Sequence, residues 1–191
     1  RKQFLVNLRA PRPLLKNLFL FPTTSTSFYN YRRGWKKVYA LKLSKRERHK
    51  IIKAFSRVFR ERDYHHPKRL YGPVIEDRGT QITFSAVGQR APVRVKVAWN
   101  RKRDERPQLT RALKRLIPEF EIRLGGLTSI DVTRKGIDKA YGIRKIVQEL
   151  IIPIRRILFV GDALYPGGND YAARRTGVDG VSVSGPKETK K

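Results

Sequence analysis

Apolar positions along the chain follow two periods. From 44 to 63, Ile51, Ile52, Phe55, Val58 and Phe59 recur at helical spacing and predict one apolar face, with Ser44 as cap and Glu47 three residues on. Arg101 to Leu116 repeats the pattern through Leu109, Leu113 and Leu116, with Ile117 just beyond and Pro107 marking a first turn. Asp138 to Leu150 is a further helix, capped by Asp138. Phe4, Leu5 and Leu8 give a short helical stretch inside Arg1–Arg9. The strand period appears in Leu18–Phe21, in Phe28–Tyr31 and Trp35–Leu41 about an Arg33-Gly34 turn, and in the pair Gly72–Asp77 and Thr80–Val87. It recurs in Glu119–Leu124, Ser129–Thr133 and Val178–Val183. Ile157 to Val160 is apolar throughout, as a buried parallel strand would be. Strands interleaved with helices predict an α/β protein.

Charge changes the picture. Forty-four Lys and Arg face sixteen Asp and Glu, a net +28 with a pI of about 11.1. Such an excess repels itself unless a polyanion neutralises it, and nucleic acid is the usual one. The cations are patterned. The helix from 45 to 63 carries eight against three acids, among them Lys45, Arg46, Lys50, Lys53 and Arg57. Arg32, Arg33, Lys36 and Lys37 crowd the hairpin turn beside Tyr29, Tyr31 and Trp35, a mixture that suits phosphate contact with base stacking. Arg101, Lys102 and Arg103 open the next helix, whose outer face also takes Arg106, Arg111, Lys114 and Arg115. The plainer reading is a set of solvated helix faces and a hairpin with buried aromatics. The expected partner is nucleic acid, RNA favoured, with other protein chains of a large assembly.

A length of 191 residues suits one domain, or a core with a small cap. No run approaches the ~20 apolar residues of a membrane span, and no signal-peptide pattern is present. With no cysteine there are no disulfides, which fits an intracellular setting. With no methionine, Arg1 is not an initiator, so the numbering starts inside a longer chain or follows processing. His65-His66 precede Pro67 and read as loop residues rather than metal ligands.

The strand at Ile157 breaks at Gly161-Asp162, and Asn169-Asp170 follow a Pro166-Gly167-Gly168 loop. Carboxylates just past a buried strand stand where open α/β sheets bind ligands. Asp162, Asn169 and Asp170 suit a hard cation such as Mg2+, while the plainer reading is a turn and a helix cap.

Gly161-Asp-Ala-Leu-Tyr-Pro-Gly-Gly-Asn-Asp170 resembles the acidic fourth motif of the haloacid dehalogenase (HAD) superfamily. Its Gly-Gly-Asn-Asp ending is similar to that of phosphomannomutases and related sugar-phosphate phosphatases with an α/β cap. Ser129 to Ile143 resembles the superfamily's third motif, which implies that Lys139 steadies the transferring phosphoryl charge. A cation in a helix's first turn is unfavourable on dipole grounds, which suits gripping an anion. Glu76 to Gln89 resembles the cap segment that holds substrate phosphate, but Gln89 stands where that family has arginine, with Arg90 next.

The resemblance covers about Leu14 to Pro186. It implies a HAD-like Rossmannoid core with an inserted α+β cap: core at 1–22, cap at 23–126 hinged at Gly125-Gly126, and core again at 127–191. It also implies a core incomplete in this chain, opening after the second motif and stopping before the last helix. No Asp-x-Asp occurs, and residues 1–46 hold no acid. The leading expectation is a scaffold without its nucleophile, hydrolysing no phosphate ester alone and binding RNA in an assembly such as a ribosome. The alternative is a magnesium-dependent phosphatase or phosphomutase whose first motifs lie outside the chain, with Lys139, Asp162, Asn169 and Asp170 at its site.

Overall fold

Helix α1, Lys45–Glu61, begins where Ser44 and Glu47 cap each other: the Glu47 N–H donates to Ser44 Oγ at 3.1 Å and the Ser44 N–H to Glu47 Oε2 at 2.6 Å. It buries Ile51, Ala54, Phe55 and Val58; Ile52, expected on that face, is 38% exposed, because Ala54 rather than Ile52 falls on the buried stripe. The computed structural model describes residues 10–185 and 187–189. The predicted helical stretch at Arg1–Arg9 lies outside the described residues, as do Pro186 and the last two lysines of the tail.

The chain divides into two compact units, one of residues 42–136 and one of 1–41 with 137–191. In the first, strands β3 (Ile75–Asp77), β4 (Ile82–Ser85), β5 (Phe120–Gly125) and β6 (Ser129–Arg134) form an antiparallel sheet ordered β3-β4-β6-β5. Helix α1 packs on α3, Arg106–Leu116, and both contact this sheet. Ile51, Phe55 and Val58 meet Ile82, Phe84, Leu109, Leu113, Ile122, Ile130 and Val132 in one continuous core.

Three expectations change here. The predicted helix at 101–116 is two helices, because α2, Val93–Arg103, ends at Asp104 and Pro107 sits in the first turn of α3. Arg106 does not join the outer basic face. Its guanidinium is buried, bound to both oxygens of Asp104 and to the carbonyls of Gly125 and Gly126. Gly125-Gly126 turns the β5–β6 hairpin rather than hinging two domains, since Ser129–Arg134 pairs with both β4 and β5.

In the second unit, β1 (Ser27–Tyr31) and β2 (Trp35–Ala40) form an antiparallel hairpin. Residues 23–41 were expected in the cap; the hairpin groups instead with 137–191, and its contacts give the reason. Phe28 stacks on Phe21 at 4.3 Å, Tyr39 donates its hydroxyl to the Ser25 carbonyl, and Lys145 of α4 (Lys139–Leu150) lies over the Tyr39 ring. Leu18–Phe21 makes a single bridge, Leu20 to Tyr29, and no strand. Strand β7 (Leu158–Gly161) pairs parallel with β8 (Asp179–Ser182). Ile157 and Phe159 pack on Ile143, Leu164, Ala173 and Val178, whereas Leu158 and Val160 are exposed. Among the described residues β7 is therefore covered on one face and not buried on both, as its apolar run suggested.

Two outcomes follow from these contacts. Arg106→Ala leaves the Asp104 carboxylate without its guanidinium partner and takes a donor from the Gly125 and Gly126 carbonyls, and should cost about 3 kcal/mol in denaturant unfolding. The guanidinium of Arg134, then the Ser44 N–H, hold the Glu47 carboxyl down at about 2. A carboxyl lowered in the folded state contributes fully above its unfolded value of ~4.3 and loses that contribution as pH falls towards 2. The thermal midpoint should fall across that window, and Glu47→Gln should flatten part of the fall.

Candidate phosphoryl-transfer site

The loop after β7 is shaped by two glycines. A Cβ at Gly161 would stand 2.6 Å from Asp170 Oδ2, and one at Gly168 would overlap the Ala163 carbonyl oxygen. With only hydrogen at both positions the loop folds back on itself. The Asp170 N–H donates to Ala163 O at 3.2 Å, the Gly168 N–H to Tyr165 O at 2.9 Å, and the Ala163 N–H returns to Asp170 Oδ2 at 3.3 Å. Asp170 precedes the 3-10 turn Tyr171–Thr176 but makes no side-chain cap to it. Its buried carboxylate faces the loop and Lys139, whose Nζ lies 3.2 Å from Oδ1.

Lys139 is held by the cap of α4. Asp138, buried, accepts the Tyr141 N–H at 2.8 Å and pairs with Arg175 from the 3-10 turn. Gly142, one turn on, is needed because a Cβ there would stand 2.5 Å from Ser25 Oγ. Ser25 and the strained Thr23 and Thr24, all at left-handed φ, were not singled out in the sequence; backbone strain of this kind leaves no composition signal.

An open cleft of about 490 Å³ is lined by Lys139, Gly161, Asp162 and Asp170, with Phe159 and Val160 on the apolar side. Three of the four residues proposed for this chemistry thus border one space. Asn169 is exposed and lies outside the lining. Among the described residues no group of three or more His, Cys, Asp or Glu stands ready to hold a metal ion. Magnesium suits what is there nonetheless, since it keeps several waters and takes one or two carboxylates plus substrate oxygens.

The basic residues fall in both units. Arg32 and Arg33 are exposed at the hairpin turn, with Lys36 and Lys37 exposed along β2. Lys45, Arg46, Lys50, Lys53 and Arg57 are exposed on α1, where Lys50 pairs with Glu119 and Arg57 with Glu61. Arg101 and Lys102 are exposed at the end of α2, and the side chain of Arg103 lies outside the described residues. His66 packs its ring edge-on to Phe59 and Tyr64, and His65 contacts Asp63 in the same loop. Gln89, at the position where arginine was anticipated, accepts from Arg78 at 3.3 Å, while Arg90 lies against Gly72.

A family model described as "Eukaryotic phosphomannomutase" matches residues 62–191. A phosphomannomutase of Encephalitozoon cuniculi is 30% identical over 124 residues, spanning 62% of this chain and 47% of the relative. One from Spinacia oleracea is 29% identical over 128 residues, spanning 63% and 49%. The chain covers about half the length of these relatives. N-terminal truncated IMP-nucleotidase of Plasmodium falciparum superposes with a TM-score of 0.61 at 16% identity, over 92% of this chain and 49% of that one. A HAD subclass IIB sugar phosphatase gives 0.55 at 15% identity, over 90% and 65%. The fold is α/β, a Rossmann-like HAD core with a cap. Among the described residues no helix is long and apolar enough to cross a membrane.

Gly161→Ala should push the Asp170 carboxylate away from β7. The expected loss is about 2 kcal/mol in chemical denaturation, and Asp170→Ala in the same background should restore part of it.

Proposed function

The chain belongs to the eukaryotic phosphomannomutase family, and on that premise we propose that it supplies the lysine and acidic half of a magnesium-dependent phosphoryl-transfer site acting on a sugar phosphate. The observation that carries this reading is the charge of the cleft. Among the described residues its ionisable lining is one cation, Lys139, and two carboxylates, Asp162 and Asp170. A free phosphate dianion is repelled by that balance, whereas a divalent cation is attracted, and anion and cation together are accommodated.

Each residue has a task its geometry suits. Asp170, fixed by the Ala163 N–H and by Lys139, offers its remaining lone pairs to a cation without having to reorganise. Asp162, exposed at the rim, is the second carboxylate. Lys139 is 40% exposed along its side chain and can turn its ammonium towards a phosphoryl group while Asp170 holds its rest position. Magnesium, when bound, neutralises charge on the transferring group. The chain contains no Asp-x-Asp, so no nucleophile is assigned within it, and the substrate sugar follows only from the names of its relatives. The RNA-binding role drawn from charge finds no support among those relatives; the phosphoryl-transfer alternative does.

Thermal unfolding with magnesium and inorganic phosphate tests this. Phosphate with magnesium should raise the midpoint by several degrees beyond phosphate alone, as a ligand at ~100 times its Kd stabilises by about 2.7 kcal/mol. Lys139→Ala and the exposed Asp162→Asn should each abolish the joint shift. A joint shift no larger than that from phosphate alone, or one that survives both substitutions, would overturn the reading.

A further inference from the structure

The β1–β2 hairpin roofs a second cleft, of about 760 Å³, lined by Lys16, Phe19, Tyr31, Arg32, Arg33 and Glu149 among others. Among the described residues it shares none with the Lys139 cleft, and its charge is opposite: three cations against one carboxylate. Its walls are partly aromatic. Phe19 is 36% exposed and tilts against Phe28 at 6.2 Å. Tyr31 is half-buried, its ring set edge-on to Trp35 at 5.4 Å. The two arginines are consecutive at the turn, where the Arg32 N–H closes on the Gly34 carbonyl at 3.2 Å. Both side chains stand exposed beyond the last paired residues, Tyr31 and Trp35.

We propose that this cleft binds single-stranded nucleic acid, with a base on the Phe19 and Tyr31 rings and the flanking phosphates on Lys16, Arg32 and Arg33. Two requirements meet here. Single strands present unstacked bases, which gain by lying on aromatic side chains, and a backbone that follows cations. A duplex offers the phosphates but hides the ring faces. An acidic peptide offers charge without a planar group, and would leave the aromatic wall in water. Lys36, exposed and paired in register with Asn30 of the lining, extends the path for a longer strand, whereas Lys37 turns to the other face, its Nζ 5.9 Å from the Tyr29 ring centroid. Glu149 of α4 also lines the cleft, where a carboxylate can accept hydrogen bonds from base amino groups.

Fluorescence anisotropy of the whole chain with a labelled oligouridylate of about twelve nucleotides tests this. Three phosphate contacts predict a slope of log affinity against log salt of about −2, a loss of roughly twentyfold between 50 and 200 mM. Arg32→Glu with Arg33→Glu should cut the slope to about −0.7. The turn is exposed, so the fold should survive, and thermal unfolding verifies that; Arg33→Ala alone should lower the slope by about 0.7. Tyr31→Ala should weaken binding about tenfold, and Tyr31→Phe should retain it, because the ring and not the hydroxyl carries the stacking. Equal affinity for duplex RNA, or for a polyglutamate peptide of the same charge, would overturn the proposal. So would binding that resists the hairpin substitutions and falls with Lys53→Glu and Arg57→Glu on α1, since the polyanion would then lie on the helix face.

Discussion

One buried carboxylate organises the end of the β7–β8 sheet. Asp170 draws the Ala163 N–H to one oxygen and the Lys139 ammonium to the other. Burying a carboxylate costs several kcal/mol unless charge and hydrogen bonds offset it, and a lysine in a first helical turn opposes the dipole by about 0.3–1 kcal/mol. Brought together, the two unfavourable placements offset each other. The arrangement is possible only because Gly161 has no side chain, and it explains why Asp170 makes no cap to the turn that follows it. The loop, the strand end and the start of α4 therefore share one electrostatic contact.

Several of the scarce acids are matched to a cation. In the unit of residues 42–136, Glu47 meets Arg134, Asp77 meets Arg48, Asp104 meets Arg106, Glu119 meets Lys50 and Glu121 meets Arg123. Apart from the buried Asp104–Arg106 pair, these exposed pairs contribute ~0–1 kcal/mol apiece, so they do not hold the core. Burial of Ile51, Phe55, Phe84, Leu113 and Ile122 does that, at about 2 kcal/mol for each side chain. The pairs instead absorb acids, and the net +28 stays spread over surfaces that face solvent.

Much of this was readable in advance, and the failures have physical causes. The capping box at Ser44 and Glu47, the Asp138 cap and the strand-loop motif at 157–170 depend on near neighbours, and local chemistry wrote them plainly. Strand partners are different. Ser129–Arg134 reads the same whether it closes one unit or opens the next, because pairing with β4 depends on contacts more than forty residues away. The hairpin at 27–40 was legible as a hairpin, but the unit it joins is set by Phe21, Ser25 and Lys145. Arg106 was misread because a buried arginine and a solvated one look alike until their partners are known. At the candidate site Lys139, Asp162 and Asp170, named from the motifs and their resemblance, border one cleft; the exposure of Asn169 was not foreseen, since a motif does not report which way a loop residue turns.

Opposite charge in the two clefts of one unit divides their chemistry. Among the described residues the lining around Lys139 is net negative, which is the balance behind the proposed joint entry of an anion and a metal ion, and affinity there should track magnesium. Beneath the hairpin the lining is net positive and partly aromatic, so an anion with a planar group enters alone, and affinity should track monovalent salt. Chelation and ionic strength therefore act on different clefts. A ligand lost on removing magnesium but insensitive to moderate salt belongs to the first, and one with the reverse behaviour belongs to the second. Because the clefts share none of the described residues, each dependence can be removed without the other, which makes the basic character of this phosphomannomutase relative separable from its phosphoryl-transfer motifs.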